Sequence, residues 1–284
     1  MGMKKVMLSL GLVFAFICLA LIMCTTTGKV SGAGKNDLGL KRALVIGNAN
    51  YQNILRLQNP KNDAEDVANV LKKLGFNVEL YFDLNHRQME TTINRFVEKL
   101  SGNKDIEGLV YFAGQGFSIN EKNYIVPVDL SASSSAQIIT GSYAMETLFS
   151  KLSAANNTLN IVIIDACFAK MTLPHFHAHR GVTVFPMEDQ DGKPVENDGL
   201  ELINQFTNDI FYFQSALPGR TALDGAGSRN SPFARALIKN LANPVRFIDL
   251  VKDIMTDTLE YTNRQQHPYF KGNIFIHEEY IINK

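Results

Sequence analysis

The chain has 284 residues, 45% of them hydrophobic, enough to bury one full core once a leader is set aside. Its 28 basic residues balance its 28 acidic ones, and no long run of either sign occurs. That excludes the basic face by which a nucleic-acid binder holds phosphate, so no nucleic-acid partner is expected.

At the N-terminus, Lys4 and Lys5 precede Val6–Met23, eighteen residues without a charge, the pattern of an export signal. The run is marginal as a membrane span, which takes about 20 apolar residues. Its end, Leu21-Ile22-Met23-Cys24-Thr25-Thr26-Thr27, resembles a bacterial lipoprotein signal with Cys24 as the residue to be lipidated. Met23 departs from that motif, which usually has Gly, Ala or Ser before the cysteine. An uncleaved anchor and a cleaved secretory peptide are the alternatives. All three export the body and place it at the cell envelope or the extracellular face, with the leader as its contact to the membrane. Residues 1–24 are therefore read as leader and 25–40 as a flexible tether, Val30–Gly39 being rich in Gly and small side chains. Residues 41–284 are read as one folded domain.

The domain begins with a short apolar strand, Arg42–Gly47. Asn62 is read as a helix cap, with Glu65 three residues on completing a capping box. Ala64, Val67, Ala68, Leu71 and Leu74 then line one helical face, and Gly75 closes it. Asn77–Phe82 is a second strand. Asn85 with Gln88 starts a second helix, whose inner face is Met89, Ile93, Phe96, Val97 and Leu100. Leu109–Ala113 is a third strand, and Phe117–Val128 a hairpin around Asn120-Glu121-Lys122-Asn123.

A helix near Ser142–Leu152 and a fourth strand, Leu159–Ile164, follow. The interval from Gly181 to Gln205 is broken by Pro186, Gly192, Pro194 and Gly199 and reads as a long exposed loop. Beyond it come a fifth strand, Ile210–Ser215, and a helix opened by Ser231-Pro232, a cap followed by a first-turn proline. Phe247, Leu250, Val251 and Ile254 mark a last helix and Asn273–Ile276 a final strand. Strands alternating with amphipathic helices indicate an α/β domain with a mainly parallel sheet. Such sheets bind ligands at the carboxyl ends of their strands.

Two of those ends carry chemistry. Cys18 and Cys24 belong to the leader, so Cys167, in Asp165-Ala166-Cys167, is the only thiol of the body. Fifty-two residues upstream, the run Tyr111-Phe112-Ala113-Gly114-Gln115-Gly116 ends the third strand. A lone thiol ending one strand and a base about fifty residues upstream is the layout of a caspase-type Cys/His site. Here the upstream position holds an amide.

Further motifs carry the same resemblance. They are Arg42-Ala43-Leu44-Val45-Ile46-Gly47-Asn48, Asn59-Pro60-Lys61-Asn62-Asp63-Ala64 and Asn123-Tyr124-Ile125-Val126-Pro127-Val128-Asp129, then Thr221-Ala222-Leu223-Asp224-Gly225 and Asn230-Ser231-Pro232-Phe233. In this order the chain resembles the caspase-like cysteine peptidases, in particular the bacterial relatives of metacaspases and paracaspases, over most of residues 41–276. The resemblance implies a three-layer sandwich, a mainly parallel sheet flanked by helices. It implies Cys167 as nucleophile, Gln115 at the position of the family histidine, and the backbone N–H groups of Gly116 and Cys167 as an oxyanion hole. It further implies an acidic pocket for Arg or Lys, made by Asp63 and Asp165, with Asp224 a third candidate, Arg220 a departure that could partly neutralise it, and Ser215 lining the groove. The implied partner is a peptide or protein with a basic residue, and no cofactor is called for.

Glutamine changes what such a site can do. Histidine generates the thiolate and later protonates the departing amine because its pKa lies near neutrality. A carboxamide does neither, and loss of general acid–base help costs roughly 10²–10⁴ in rate. The sequence therefore reads as a peptidase-family binding or regulatory module with impaired catalysis. The competing reading is an active endopeptidase cleaving after Arg or Lys, with His175, His177 or His179 of the loop after the thiol as a substitute base. Those three alternate along the chain, about 7 Å apart if extended, too far for one zinc ion without a bend. No metal site is assigned.

Overall fold

The central strands of the sheet carry unbroken apolar runs because both faces there are covered by helices. In the structure, a computed structural model, the described residues are 40–119, 122–131, 134–170, 178–179, 182–183, 210–217, 220, 222–225, 227–242, 246–272 and 280–282. The chain divides into two units, Met1–Asn36 and Asp37–Lys284, and the described residues all belong to the second. The leader, residues 25–39 of the tether, and the His175 and His177 positions lie outside them. No helix among the described residues is long and apolar enough to cross a membrane.

In chain order the elements are β1 (Lys41–Gly47), α1 (Pro60–Lys73), β2 (Asn77–Phe82), α2 (His86–Leu100), β3 (Glu107–Ile119), β4 (Lys122–Ile125), α3 (Ser135–Thr140), β5 (Tyr143–Ala144), α4 (Met145–Ala155) and β6 (Leu159–Lys170). Then follow β7 (Ala178–His179), β8 (Val182–Thr183), β9 (Ile210–Gln214), α5 (Pro232–Leu241), α6 (Phe247–Tyr261) and β10 (Tyr269–Lys271). The main sheet is eight-stranded and runs β10-β9-β6-β3-β1-β2, with β4 paired to β3 and β5 to β4. Its centre is parallel; β10, β4 and β5 pair antiparallel.

Side-chain alternation along each strand builds the two faces. Val45, Leu109, Tyr111, Ile161, Ile163, Phe211 and Phe213 pack with α1, α5 and α6. Leu44, Ile46, Val110, Phe112, Val162, Ile164 and Tyr212 pack with α2 and α4. Each such fully buried side chain contributes about 1.5–3 kcal/mol, so a one-residue slip of a central strand would exchange the two sets and is disfavoured.

The first helix starts earlier than its polar residues suggest. Asn59 is the cap and Pro60 the first helical residue, and no side chain closes the cap. Asn62 sits inside the helix, where its Nδ2 donates to the Arg229 carbonyl at 3.1 Å, and Glu65 pairs with Arg229 instead of closing a box. The second helix has the expected box between Asn85 and Gln88. Ser231 caps α5 by accepting the Ala234 N–H at 2.9 Å.

Strands β3 and β6 run about six residues past their expected ends. The added half of β3 has β4 on one side and β6 on the other, so its backbone groups stay paired. The expected strand at Asn273–Ile276 falls outside the described residues; Tyr269–Lys271 forms the sheet's edge instead.

Candidate active site

The extension of β3 and β6 sets the first half of the site. In their register Gln115 is the Cα partner of Cys167, Gly116 of Phe168 and Ala113 of Asp165. The two positions that the sequence isolates, fifty-two residues apart, thus lie side by side on adjacent parallel strands. Gln115 is half-buried. Its backbone N–H donates to the Tyr51 hydroxyl at 2.6 Å, its side-chain Nε2 to the Leu55 carbonyl at 3.3 Å, and its carbonyl accepts from Val126 N at 3.0 Å.

Tyr51 was not singled out by sequence reasoning, and it holds this corner together. It is buried, and its hydroxyl reaches the Val126 carbonyl at 3.4 Å. Burial raises its pKa far beyond the ordinary phenol value, so it stays a neutral donor and acceptor. Gly114 makes room for it: a Cβ there would lie 2.6 Å from the Tyr51 hydroxyl and 3.1 Å from the Asn48 carbonyl. That glycine serves close approach, not chain reversal.

The second half is acidic. Gly47 ends β1 against the first turn of α1, where any side chain would meet the Pro60 carbonyl at 2.5 Å. This contact brings Asp63, in that first turn, under the surface at 1% exposure. Asp165 is 7% exposed on β6. Ser231 joins the two: its backbone N–H donates to Asp63 Oδ1 at 3.0 Å, and its hydroxyl donates to Asp165 Oδ2. Among the described residues no ion pair includes Asp63, Asp165 or Asp224.

Without a cation, burial dominates the electrostatics. It pushes Asp63 up to about 8, with the charge of Asp165 adding to the rise. It likewise pushes Asp165 up to about 6, opposed by the Ser231 hydroxyl and the nearby Ser215 and Tyr111 hydroxyls. Ser215 and Tyr111 lie close enough to favour the charged form, yet neither hydroxyl closes a hydrogen bond.

The other named residues divide. Ser215 is fully buried; its N–H donates to the Ile164 carbonyl and its carbonyl accepts from Gln266 Nε2. Asp224 acts as a clip: its carboxylate accepts the N–H groups of Gln58, at 2.7 Å, and Asn59, at 3.3 Å. Asn59 Nδ2 in turn donates to the Asp224 and Gly225 carbonyls. Arg229 pairs with Asp66 and Glu65 of α1. These contacts moor the segment carrying Ser231 to the start of α1. Among the described residues no cluster of His, Cys, Asp and Glu could hold a metal ion, and no histidine bonds Gln115, Tyr51 or the three carboxylates.

The comparisons with known proteins identify the family and the fold. The family model of the caspase domain, peptidase family C14, matches residues 40–275. Mucosa-associated lymphoid tissue lymphoma translocation protein 1 of Homo sapiens is 28% identical over 127 residues, 45% of this chain and 15% of that protein. Its Mus musculus homologue matches over the same share. The aligned stretch is thus a small part of these relatives' length. The crystal structure of caspase-1 from Spodoptera frugiperda aligns with a TM-score of 0.57 at 14% identity, covering 82% of this chain and 86% of that one. With a family match across most of its length, a strand pair that sets residues 115 and 167 side by side, and a solved caspase sharing its fold, the chain belongs to the caspase-domain family of cysteine peptidases.

Proposed function

We propose that this protein is an exported caspase-domain binding module, held at the membrane by its leader, that recognises a peptide or protein segment through an Arg or Lys side chain and turns it over poorly if at all. The observation that carries the reading is Gln115, the strand-register partner of Cys167. Peptide hydrolysis here needs a group that takes the thiol proton and then returns a proton to the departing amine. The Gln115 carboxamide has no proton to exchange near neutral pH. The N–H groups of Gly116 and Cys167, which the family resemblance makes an oxyanion hole, lie within the β3–β6 ladder, so polarising a bound carbonyl would require them to leave it. The recognition half supports the cation: two buried carboxylates without a described counter-charge form a favourable destination for a guanidinium or ammonium.

The deciding experiment is hydrolysis of a fluorogenic peptide ending in arginine, with Cys167→Ala as the blank. The expected result is no difference between the two proteins. Efficient Cys167-dependent hydrolysis overturns the reading, and its loss in His175→Ala or His177→Ala would assign the base to the loop after the thiol. For the anchor, cells carrying wild type or Cys24→Ala are fractionated. Wild type is expected with the membranes and the variant in the soluble fraction; equal release of both defeats lipid anchoring.

A further inference from the structure

The acidic half of the site has a feature that a simple salt-bridge pocket lacks. Its two carboxylates are tied to each other through one residue, Ser231, whose N–H serves Asp63 and whose hydroxyl serves Asp165. We propose that the Asp63–Ser231–Asp165 bridge holds a proton while the pocket is empty and gives it up when a basic side chain enters, so that ligand binding expels a proton and weakens in acid. The proposal rests on the reading of the pocket as a site for Arg or Lys and adds its regulation.

The groups around the pair leave a proton as the available source of positive charge. Lys61, also on α1, is paired with Asp83. Arg229 is committed to Asp66 and Glu65, and Arg220 has a partner of its own, with no ion pair to either carboxylate among the described residues. From β3 comes Tyr111, buried and neutral, its pKa raised by burial and by both carboxylates. From the segment before α5 comes Asp224, a further negative charge that raises both. The Tyr111 and Ser215 hydroxyls are buried at the Asp165 carboxyl with no hydrogen-bond partner. Their donor and acceptor capacity is left open beside that carboxyl. Two like charges in one buried site do not both ionise readily; burial is the largest cause of the rise of both carboxylates, with the charge of Asp165 adding to that of Asp63 and the charge of Asp224 to that of both.

The proton balance is simple. In the empty state one carboxyl O–H survives near neutral pH. A guanidinium or ammonium replaces that proton as counter-charge, the O–H breaks, and the proton passes to buffer. The affinity for a basic ligand then rises with pH, by at most tenfold per pH unit for each proton expelled.

Ser231 is a positioning residue in this scheme. It touches no ligand, but it holds the two carboxyls in one electrostatic unit while capping α5.

The test is calorimetry of the full chain, as Cys167→Ala to prevent turnover, with an acetylated tetrapeptide ending in arginine amide. Titrations at pH 7 in phosphate and in Tris separate binding heat from buffer ionisation heat. We expect roughly one proton released per peptide bound, and an affinity at least tenfold greater at pH 8.5 than at pH 6. Asp63→Asn should still bind, more weakly, with less proton release and a flatter pH profile. Carbon-13 labelling of the aspartates supplies a ligand-free check: two carboxyl signals should titrate well above the rest. Binding without proton release, or carboxyl signals that all titrate near pH 4, overturns the proton linkage and leaves the binding module standing. No binding of the peptide at any pH overturns both.

Discussion

Asp257 and Asp63 are both buried carboxylates in the helical layer formed by α1, α5 and α6, and the fold treats them in opposite ways. Asp257, on α6, receives the Lys239 ammonium at 2.8 Å and a hydrogen bond from Asn240. Burial alone would raise its pKa, but those two partners and the charges of Lys239 and Arg235 outweigh it and hold the carboxyl below the usual range. Asp63 is driven up by burial and by the charge of Asp165, which outweigh one backbone N–H from Ser231 and the nearby Asn230 side chain. The α5–α6 seam shows what this chain does with a carboxylate that only has to be stable: it supplies a cation. Asp63 and Asp165 have no such cation among the described residues, which costs stability and, on the reading proposed above, leaves the pair for a basic ligand, the pattern of perturbed groups gathered at functional sites.

The largest test asks whether that acidic pair is attached to a recoverable catalytic centre. Gln115→His adds the missing proton-transferring group at a position whose backbone is already fixed by Tyr51 and Val126. Hydrolysis of an arginine peptide is expected to rise by about 10²–10⁴ over wild type. It should disappear in the Gln115→His/Cys167→Ala double variant and depend on one ionisation near neutral pH. A folded Gln115→His protein no faster than wild type would show that the two halves are no longer coupled.

The next largest compares ligands. A chloromethyl ketone ending in arginine is expected to label Cys167 faster than an aspartate-ended analogue, the acidic pair attracting one and repelling the other. Asp165→Asn should cut that preference by about 1–3 kcal/mol, the scale of a hydrogen bond to a charged group. Equal labelling of wild type by both reagents would reduce the pair to another internal polar contact, like Asp257 without its lysine.

What the sequence could show of this site was what is local or periodic. Two-sided apolar runs marked the strands, Asn85-Gln88 and Ser231-Pro232 marked helix starts, and the spacing of Gln115 and Cys167 found two positions that the register places together. What stayed hidden was contact between distant segments. The Tyr51 hydroxyl meets Gln115 N across 64 residues, and Asp224 clips the residues before α1 across about 165. Neither has a period or a spacing to betray it. Ser231 was legible as a cap, but not as the bridge to Asp63 and Asp165, which lie 168 and 66 residues away. Asn62 misled for the same reason: its short polar side chain suits a helix cap, and here it is spent on Arg229 instead. The six-residue α3, capped by Ser134, was too short to show a helical period.

The smallest effect is on stability, and its sign separates Asp63 from an ordinary structural carboxylate. In the unfolded chain Asp63 loses its proton near pH 4; in the folded chain it keeps it up to about 8. Between those values the folded state binds more protons than the unfolded one, so the contribution of Asp63 to stability falls as pH rises through that window. Asp257, with its pKa lowered, runs the other way: its contribution is present above the unfolded value and is lost as acid protonates it. Asp63→Asn keeps an oxygen to accept the Ser231 N–H and removes the titration. It is expected to be stabilising at pH 8, by about 0.5–2 kcal/mol, and to make little difference at pH 4. Urea midpoints of wild type and variant at the two pH values measure this. A variant that is less stable than wild type at both would mean that Asp63 is charged and satisfied in the folded protein, and the contrast with Asp257 would be lost.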